Sequence, residues 1–290
     1  GCSVIIKPAE DTPLSALRIA QIAKEAGIPD GVFNVVPGFG DVGEALGRHN
    51  DVDAVSFTGS TEVGGLFMKY SGESNLKTIG LEMGGKSPFL VLEDTQINDA
   101  LIDNAINSAF WNGGQNCSAN MRQIVHNKAK DEFLDKVLKR IKNIKVGDPL
   151  NTETNMGSMI SKTHLTKVDN YIQKGIDEGA SILHGGVSDA NQKGFFAKPT
   201  LFDNVKENMT IAQDEIFGPV LGVLTVNDTE EALKIAKNSK YGLHASVFTQ
   251  DINKAFHIAK NLPCGTVSIN TFSEGAIKTP FGGYKQSGSL

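Results

Sequence analysis

Cysteine is scarce: Cys2, Cys117 and Cys264 are the only three, odd in number and widely spaced. Such a set builds neither a disulfide framework nor a zinc-finger-type site, so no metal is expected and the compartment reads as reducing, the cytoplasm. Blocks of one charge are also missing. Lys+Arg 28 against Asp+Glu 33 leaves a net charge of −5 without any run of five basic residues, which argues against a nucleic-acid or anionic-membrane partner. Long hydrophobic runs are absent too. The longest, around Phe217 to Val226, is interrupted by Gly218, Pro219 and Gly222, well short of the ~18 residues that cross a bilayer. What the chain has in quantity is glycine, 31 residues on top of a 40% hydrophobic content, in an otherwise ordinary globular composition. At 290 residues it is about twice the ~150-residue scale of a single domain, so two domains are expected.

The ends carry their own signal. Gly1-Cys2-Ser3-Val4-Ile5-Ile6 starts inside an apolar β-type run with no initiator Met or charged leader, and Gly282 to Leu290 stops in a Gly/Ser stretch with no closing element. The expectation is a piece of a longer chain, truncated at both ends. Between them, short apolar runs (Ser3–Ile6, Val32–Val36, Val52–Phe57) alternate with helical patterns (Thr12–Ala26, Asp41–Arg48, Thr61–Ser71), which predicts a parallel, helix-covered sheet. Thr12 is read as the N-cap of the first helix, with Leu14, Leu17, Ala20 and Ile22 along one side. Beyond Pro88 the alternation continues: runs at Phe89–Leu92, Gln123–His126, Pro219–Val226, Ala245–Thr249 and Thr266–Ile269, and helices near Ile97–Asn112, Ala129–Ile144, Leu165–Glu178, Thr229–Asn238 and Ile252–Leu262. The fold class is α/β, with a boundary expected at the pair Gly84-Gly85.

Three glycine motifs compete for a phosphate-binding role. Gly38-Phe39-Gly40-Asp41-Val42-Gly43 is a formal G-x-G-x-x-G, but an acidic residue about 20 positions on would fall at Glu62, inside another glycine motif, so a structural turn stands beside the dinucleotide reading. Gly80 to Ser87 matches the P-loop expression, yet the following Pro88-Phe89-Leu90-Val91-Leu92 reads as strand where a P-loop needs a helix. Phe57-Thr58-Gly59-Ser60-Thr61-Glu62-Val63-Gly64 ends a strand and opens a helix, a seat for pyrophosphate or simply a capped helix packing through Gly64. Among nucleophiles, Cys117 stands out on the glycine-loosened Trp111-Asn112-Gly113-Gly114-Gln115-Asn116-Cys117-Ser118, against the commoner fate of an inert buried thiol.

Together, Leu81-Glu82-Met83-Gly84-Gly85-Lys86-Ser87, a cysteine 117 − 82 = 35 positions later after Gly114-Gln115, and Glu215-Ile216-Phe217-Gly218-Pro219 resemble the NAD(P)-dependent aldehyde dehydrogenase superfamily. Matches run from Lys7-Pro8-Ala9-Glu10 to Pro280 through Gly288, so the resemblance covers the whole chain, and it leans towards the aminoaldehyde and γ-glutamyl-γ-aminobutyraldehyde dehydrogenases. It implies residues 1–85 as the C-terminal part of a Rossmann-like coenzyme domain and 86–290 as an α/β catalytic domain. It places the nucleophile on Cys117 and the general base on Glu82, with oxidation of an aldehyde to a carboxylic acid through a thiohemiacetal and a thioester. NAD contacts fall on Lys7, Glu10, Gly59, Ser60, Thr61, Gly64, Glu215 and Phe217; the Glu10 carboxylate would repel a 2′-phosphate, favouring NAD over NADP. Trp111 and Phe281, with Phe110 and Phe272, fall where the family lines its aldehyde tunnel, or are core aromatics; the Glu274 carboxylate and the Trp111 face are expected to receive a substrate ammonium group. A homo-oligomer is implied for the longer form. An inactive fragment, a CoA-acylating relative and, remotely, a P-loop phosphotransferase are the competing readings.

Overall fold

The computed structural model describes residues 1–273 and 275–289. Two compact units emerge: residues 1–58 with 62–80, and residues 59–61 with 81–290.

The first unit holds β1 (Val4–Ile6), α1 (Leu14–Glu25), β2 (Phe33–Val35), α2 (Gly40–Arg48), β3 (Ala54–Thr58), most of α3 (Thr61–Gly72) and the start of β4 (Thr78–Glu82). The expected single parallel sheet is divided: β1 and β2 form a two-stranded parallel pair, and β3 lies beside β4 in another sheet. A strand pair is too narrow to cover a twelve-residue helix, so the apolar side of α1 buries no residue and Leu14 is 78% exposed. The helix also starts differently from expectation. Pro13, not Thr12, is the N-cap residue, in αR geometry and without a side-chain cap, because the first helical amide bond already runs to the Pro13 carbonyl.

In the second unit the chain runs through β5 (Pro88–Val91), α4 (Asp99–Phe110), a 3-10 turn (Trp111–Gly114), β6 (Arg122–His126), α5 (Asn127–Ile141) and α6 (Lys162–Asp177). There follow β7 (Ser181–His184), β8 (Thr200–Asp203), α7 (Thr210–Gln213), β9 (Val220–Val226), α8 (Thr229–Lys237), β10 (Tyr241–Gly242), β11 (His244–Phe248), α9 (Ile252–Asn261) and β12 (Thr266–Ile269). Two short strands close it, β13 (Tyr284–Lys285) and β14 (Gly288–Ser289).

Its seven-stranded sheet has the order β12-β11-β5-β6-β9-β8-β7, parallel except for the edge strand β7. Strand alternation sends Leu90 and Ile124 to one face and Phe89 and Val125 to the other. Helices α6, α8 and α9 cover the first face through Val168, Ile172, Leu233 and Ile258; α4 and α5 cover the second through Leu101, Ile102, Phe133 and Val137. Burial on both faces is why β5 and β6 read as unbroken buried runs.

The tail is not the open Gly/Ser end that the sequence suggests. β13 pairs antiparallel with β10, and β14 pairs antiparallel with the last residues of β4, Gly288 opposite Glu82 and Ser289 opposite Leu81. Glycine permits this approach: a Cβ on Gly283 would sit 2.6 Å from the Ser287 carbonyl carbon. No helix among the described residues is long and apolar enough to cross a membrane, and no group of three or more potential metal ligands occurs among them.

Candidate active site

Topology gathers the chemistry at one edge. Strands β5, β6 and β9 are adjacent in the sheet, and the segments leading into their amino ends carry Glu82, Cys117 and Glu215. The leads are of nearly equal length: 88 − 82 = 6, 122 − 117 = 5 and 220 − 215 = 5 residues. Ligands of open α/β sheets more often gather at the carboxyl ends of strands; here the candidate groups precede the strands.

Glycine lets the three segments touch. A Cβ on Gly85 would lie 2.5 Å from the Cys117 carbonyl oxygen, one on Gly84 would collide with the Glu215 carboxylate, and one on Gly114 would lie 2.5 Å from the Gly218 carbonyl oxygen. The Gly85 amide donates to Glu215 Oε1 at 3.0 Å. Burial pushes the Glu215 carboxyl above the usual carboxylate range, an effect that this amide opposes by stabilising the charged form.

The path into Cys117 is set by left-handed backbone at Asn112 (φ 52°), Gly113 (φ 63°) and Gly114 (φ 71°). Asn112 tolerates that region because its side chain bonds locally, donating to the Gln115 carbonyl at 3.0 Å. Gln115 is tied down in turn: its Nε2 donates to the Asn112 carbonyl and its Oε1 accepts the Ile160 amide at 3.0 Å. Cys117 is left half-buried, its Sγ 4.0 Å from the Ser118 hydroxyl.

Glu82 ends β4, where its carbonyl accepts the Gly59 amide at 3.0 Å. Both carboxylate oxygens are buried without a hydrogen-bond partner although the residue as a whole is half-exposed, and desolvation raises its pKa. A carboxyl so placed is primed to take a proton. Ser287 holds the segment after it: its hydroxyl donates to the Gly84 carbonyl at 2.7 Å and accepts the Gly242 amide at 2.9 Å, while its carbonyl accepts the Met83 amide at 2.8 Å.

Phe217 adopts φ 60°, a strained value for a bulky non-glycine residue. His164 secures it: Nε2 donates to the Phe217 carbonyl at 2.5 Å, and the rings meet edge to face with centroids 5.8 Å apart. Burial lowers the His164 pKa, an effect that the Phe217 carbonyl opposes by favouring the charged form.

Among the tunnel candidates, Phe110 is core, 5% exposed and packed with the α4–α5 cluster, whereas Trp111 is 64% exposed. Phe272 and Phe281 are half-buried; Glu274 lies outside the described residues. Phe272 rests edge-on against His244, centroids 5.3 Å apart. His244 is fully buried within a polar network that sequence reasoning did not find. Asn120 accepts the Ser246 hydroxyl on Oδ1 and so turns Nδ2 to the His244 Nδ1 at 3.3 Å. That fixes the Nε2–H tautomer, which faces the Ser268 hydroxyl at 3.1 Å and the Ser273 carbonyl at 3.0 Å. No local signal marks these residues, because their partners are far apart in the chain.

Of the glycine motifs, Gly80–Ser87 runs from β4 into β5 with no helix at Lys86-Ser87, so the P-loop geometry is absent. Gly59-Ser60 joins β3 to α3, and the Thr61 hydroxyl donates to the Gln286 carbonyl at 3.0 Å. Gly64 is buried on α3. In the first unit Lys7 Nζ donates to the carbonyls of Pro8 at 2.9 Å and Gly38 at 2.8 Å and lies 3.8 Å from the exposed Glu10 carboxylate. Gly38 therefore belongs to a turn that Lys7 stitches.

A family model described as the aldehyde dehydrogenase family matches residues 1–289, and the chain belongs to that family. Aminoacetaldehyde dehydrogenase of Pseudomonas aeruginosa is 45% identical over 289 residues, which are 99% of this chain and 58% of that protein. The NAD+ complex structure of an aldehyde dehydrogenase from Bacillus cereus superposes with a TM-score of 0.96 at 46% identity, over 99% of this chain and 58% of that one. γ-Glutamyl-γ-aminobutyraldehyde dehydrogenase from Burkholderia cenocepacia gives 0.95 at 44% identity, with the same coverage of 99% and 58%. The chain thus spans 58% of the length of these relatives.

Proposed function

We propose that the protein oxidises an aldehyde to a carboxylic acid with NAD as acceptor, residues 1–85 contributing to coenzyme binding and 86–290 to catalysis. The observation that carries this reading is the convergence of Glu82, Cys117 and Glu215 at the amino ends of three adjacent strands, held by contacts that only glycine allows.

In this reading the Cys117 thiolate adds to the aldehyde carbon, forming a C–S bond and a thiohemiacetal. NAD, when bound, supplies the two-electron acceptor that turns this adduct into a thioester. Glu82 then takes a proton from water as the water oxygen attacks the thioester carbon; the C–S bond breaks, the carboxylic acid leaves and the thiolate is restored. The buried, unbonded carboxylate oxygens of Glu82 suit a group that must hold a proton only for part of the cycle. A hydrolytic rather than CoA-acylating outcome follows from having such a base.

The residues fit NAD. Glu215, held by the Gly85 amide, presents a carboxylate for ribose hydroxyls, and the Gly59–Thr61 turn opens a twelve-residue helix with hydroxyl side chains suited to phosphate. The exposed Glu10 carboxylate accepts from ribose hydroxyls and disfavours a 2′-phosphate. Strained Phe217 packs the nicotinamide side. We place Trp111 and Phe281 on the aldehyde approach, with Glu274 receiving a substrate ammonium group, and the protein in the cytoplasm as a homo-oligomer.

Formation of reduced nicotinamide from a panel of amino, neutral and acidic aldehydes tests the reading, with NAD and NADP compared. Activity lost in Cys117→Ser and preferred with NAD supports it; undiminished turnover in Cys117→Ser contradicts it.

A further inference from the structure

Lys86 and Arg122 are two cations with almost no access to water, 2% and 1% exposed. They line a small cavity of about 10 Å³ near the amino ends of β5 and β6, together with Ser87, Tyr241, His244 and Cys264. That volume is about the least that holds a single water-sized occupant, so a chloride ion would need the flexible Lys86 side chain to draw back slightly.

The hydrogen-bond accounting of this cavity is lopsided. Arg122 spends its terminal nitrogens on α8, donating to the carbonyls of Ile235 at 3.1 Å, Ala236 at 2.9 Å and Asn238 at 3.2 Å. Its Nε–H has no partner; neither does Lys86 Nζ nor the Ser87 hydroxyl. A buried donor left unmet costs about 1–3 kcal/mol, more when charged. No carboxylate lines the cavity among the described residues. A water molecule accepts only two hydrogen bonds and must find acceptors for its own two protons. A monatomic anion accepts from every side and offsets the charge as well.

We propose that this cavity is a structural site for a small monovalent anion, chloride in the cell, bound by Lys86 Nζ, Arg122 Nε and the Ser87 hydroxyl. The site lies on the segment between Glu82 and β5, so its occupant braces the link that follows Glu82 and carries Gly85 into β5. Occupancy is linked to pH. Burial and the neighbouring Arg122 charge lower the Lys86 pKa to about 7, against the opposing carboxylates Glu215 and Asp214 from the segment before β9. Among the other lining groups, burial raises the Cys264 thiol to about 11 and also raises the Tyr241 phenol, so both stay neutral, while the His244 ring nitrogens are engaged by Asn120, Ser268 and Ser273. The anion favours protonated Lys86, so affinity falls as pH rises through about 7.

The test uses the unaltered protein crystallised in bromide, with melting temperatures in chloride and in isethionate, too large for the cavity, at equal ionic strength. An anomalous bromide peak between Lys86 Nζ and Arg122 Nε is expected, together with a melting temperature higher in chloride, by a margin that widens below neutral pH and vanishes in Lys86→Met. Water density without anomalous signal, or equal melting in the two salts at every pH, overturns the proposal. Because the bromide measurement needs no substitution, it decides the matter even where Lys86→Met fails to fold.

Discussion

A carboxyl group whose oxygens are buried and unbonded is costly to ionise, and Glu82 shows both sides of that cost. Its raised pKa means that the ionised form destabilises the fold, a penalty absent at low pH and incurred as pH rises through the folded value. Glu82→Gln should therefore melt at a higher temperature than the parent at neutral pH, and the gain should shrink on acidification. The same substitution should slow turnover by roughly 100- to 10,000-fold, the usual worth of a general base, and remove the rise of hydrolysis with pH. Calorimetry and pH–rate profiles check the two halves. His244 acts at this scale through another group, positioning the loop that carries Phe272. His244→Ala removes the acceptor of one Asn120 N–H, while the Ser273 carbonyl keeps the Ser268 hydroxyl, and should cost about 1–3 kcal/mol of stability. If the loop borders the substrate, KM should rise more than kcat falls, a split that a merely weakened core would not give.

Elements explain why isolated residues meet. Strands β5 and β9 were legible because burial on both faces makes them nearly continuous apolar runs, and β6, equally buried but carrying Arg122, Gln123 and His126, showed only through its Ile124-Val125 pair and the regular spacing of the helix after it. Less legible were β7, a half-exposed edge strand with a register shift between Ile182 and His184, and β4, interrupted by Gly80. Pairing of β14 with β4 was illegible, since nothing local in Gly288-Ser289 points to Leu81-Glu82. The roles of glycine emerged as steric: Gly85→Ala would press a methyl group to within 2.5 Å of the Cys117 carbonyl oxygen. Overpacking of that kind typically costs about 1–3 kcal/mol, and here it should also displace the Cys117 segment, so activity should fall further than stability. Ser287→Ala makes the complementary test. It removes a fully buried hydroxyl that joins the tail to Gly84 and Gly242, with an expected loss of about 1–3 kcal/mol in chemical denaturation.

For the whole molecule, the candidate site came from two sources of different reach. Spacing alone left Cys117 as a nucleophile or an inert thiol and gave Glu82 no role of its own; the resemblance gave them roles, and sheet order supplies a physical reason for their convergence. His164, His244 and Asn120 entered only with the structure, because each works through contacts distant in sequence. The central claim is that Cys117 and Glu82 divide the reaction between bond formation and hydrolysis. Intact-protein mass spectrometry of Glu82→Gln mixed with NAD and an aldehyde tests it most directly. The account predicts a burst of reduced nicotinamide, then a stalled enzyme bearing an acyl group on Cys117 and nowhere else. Full turnover without an accumulated adduct, or an acyl group on Cys2 or Cys264, would contradict it.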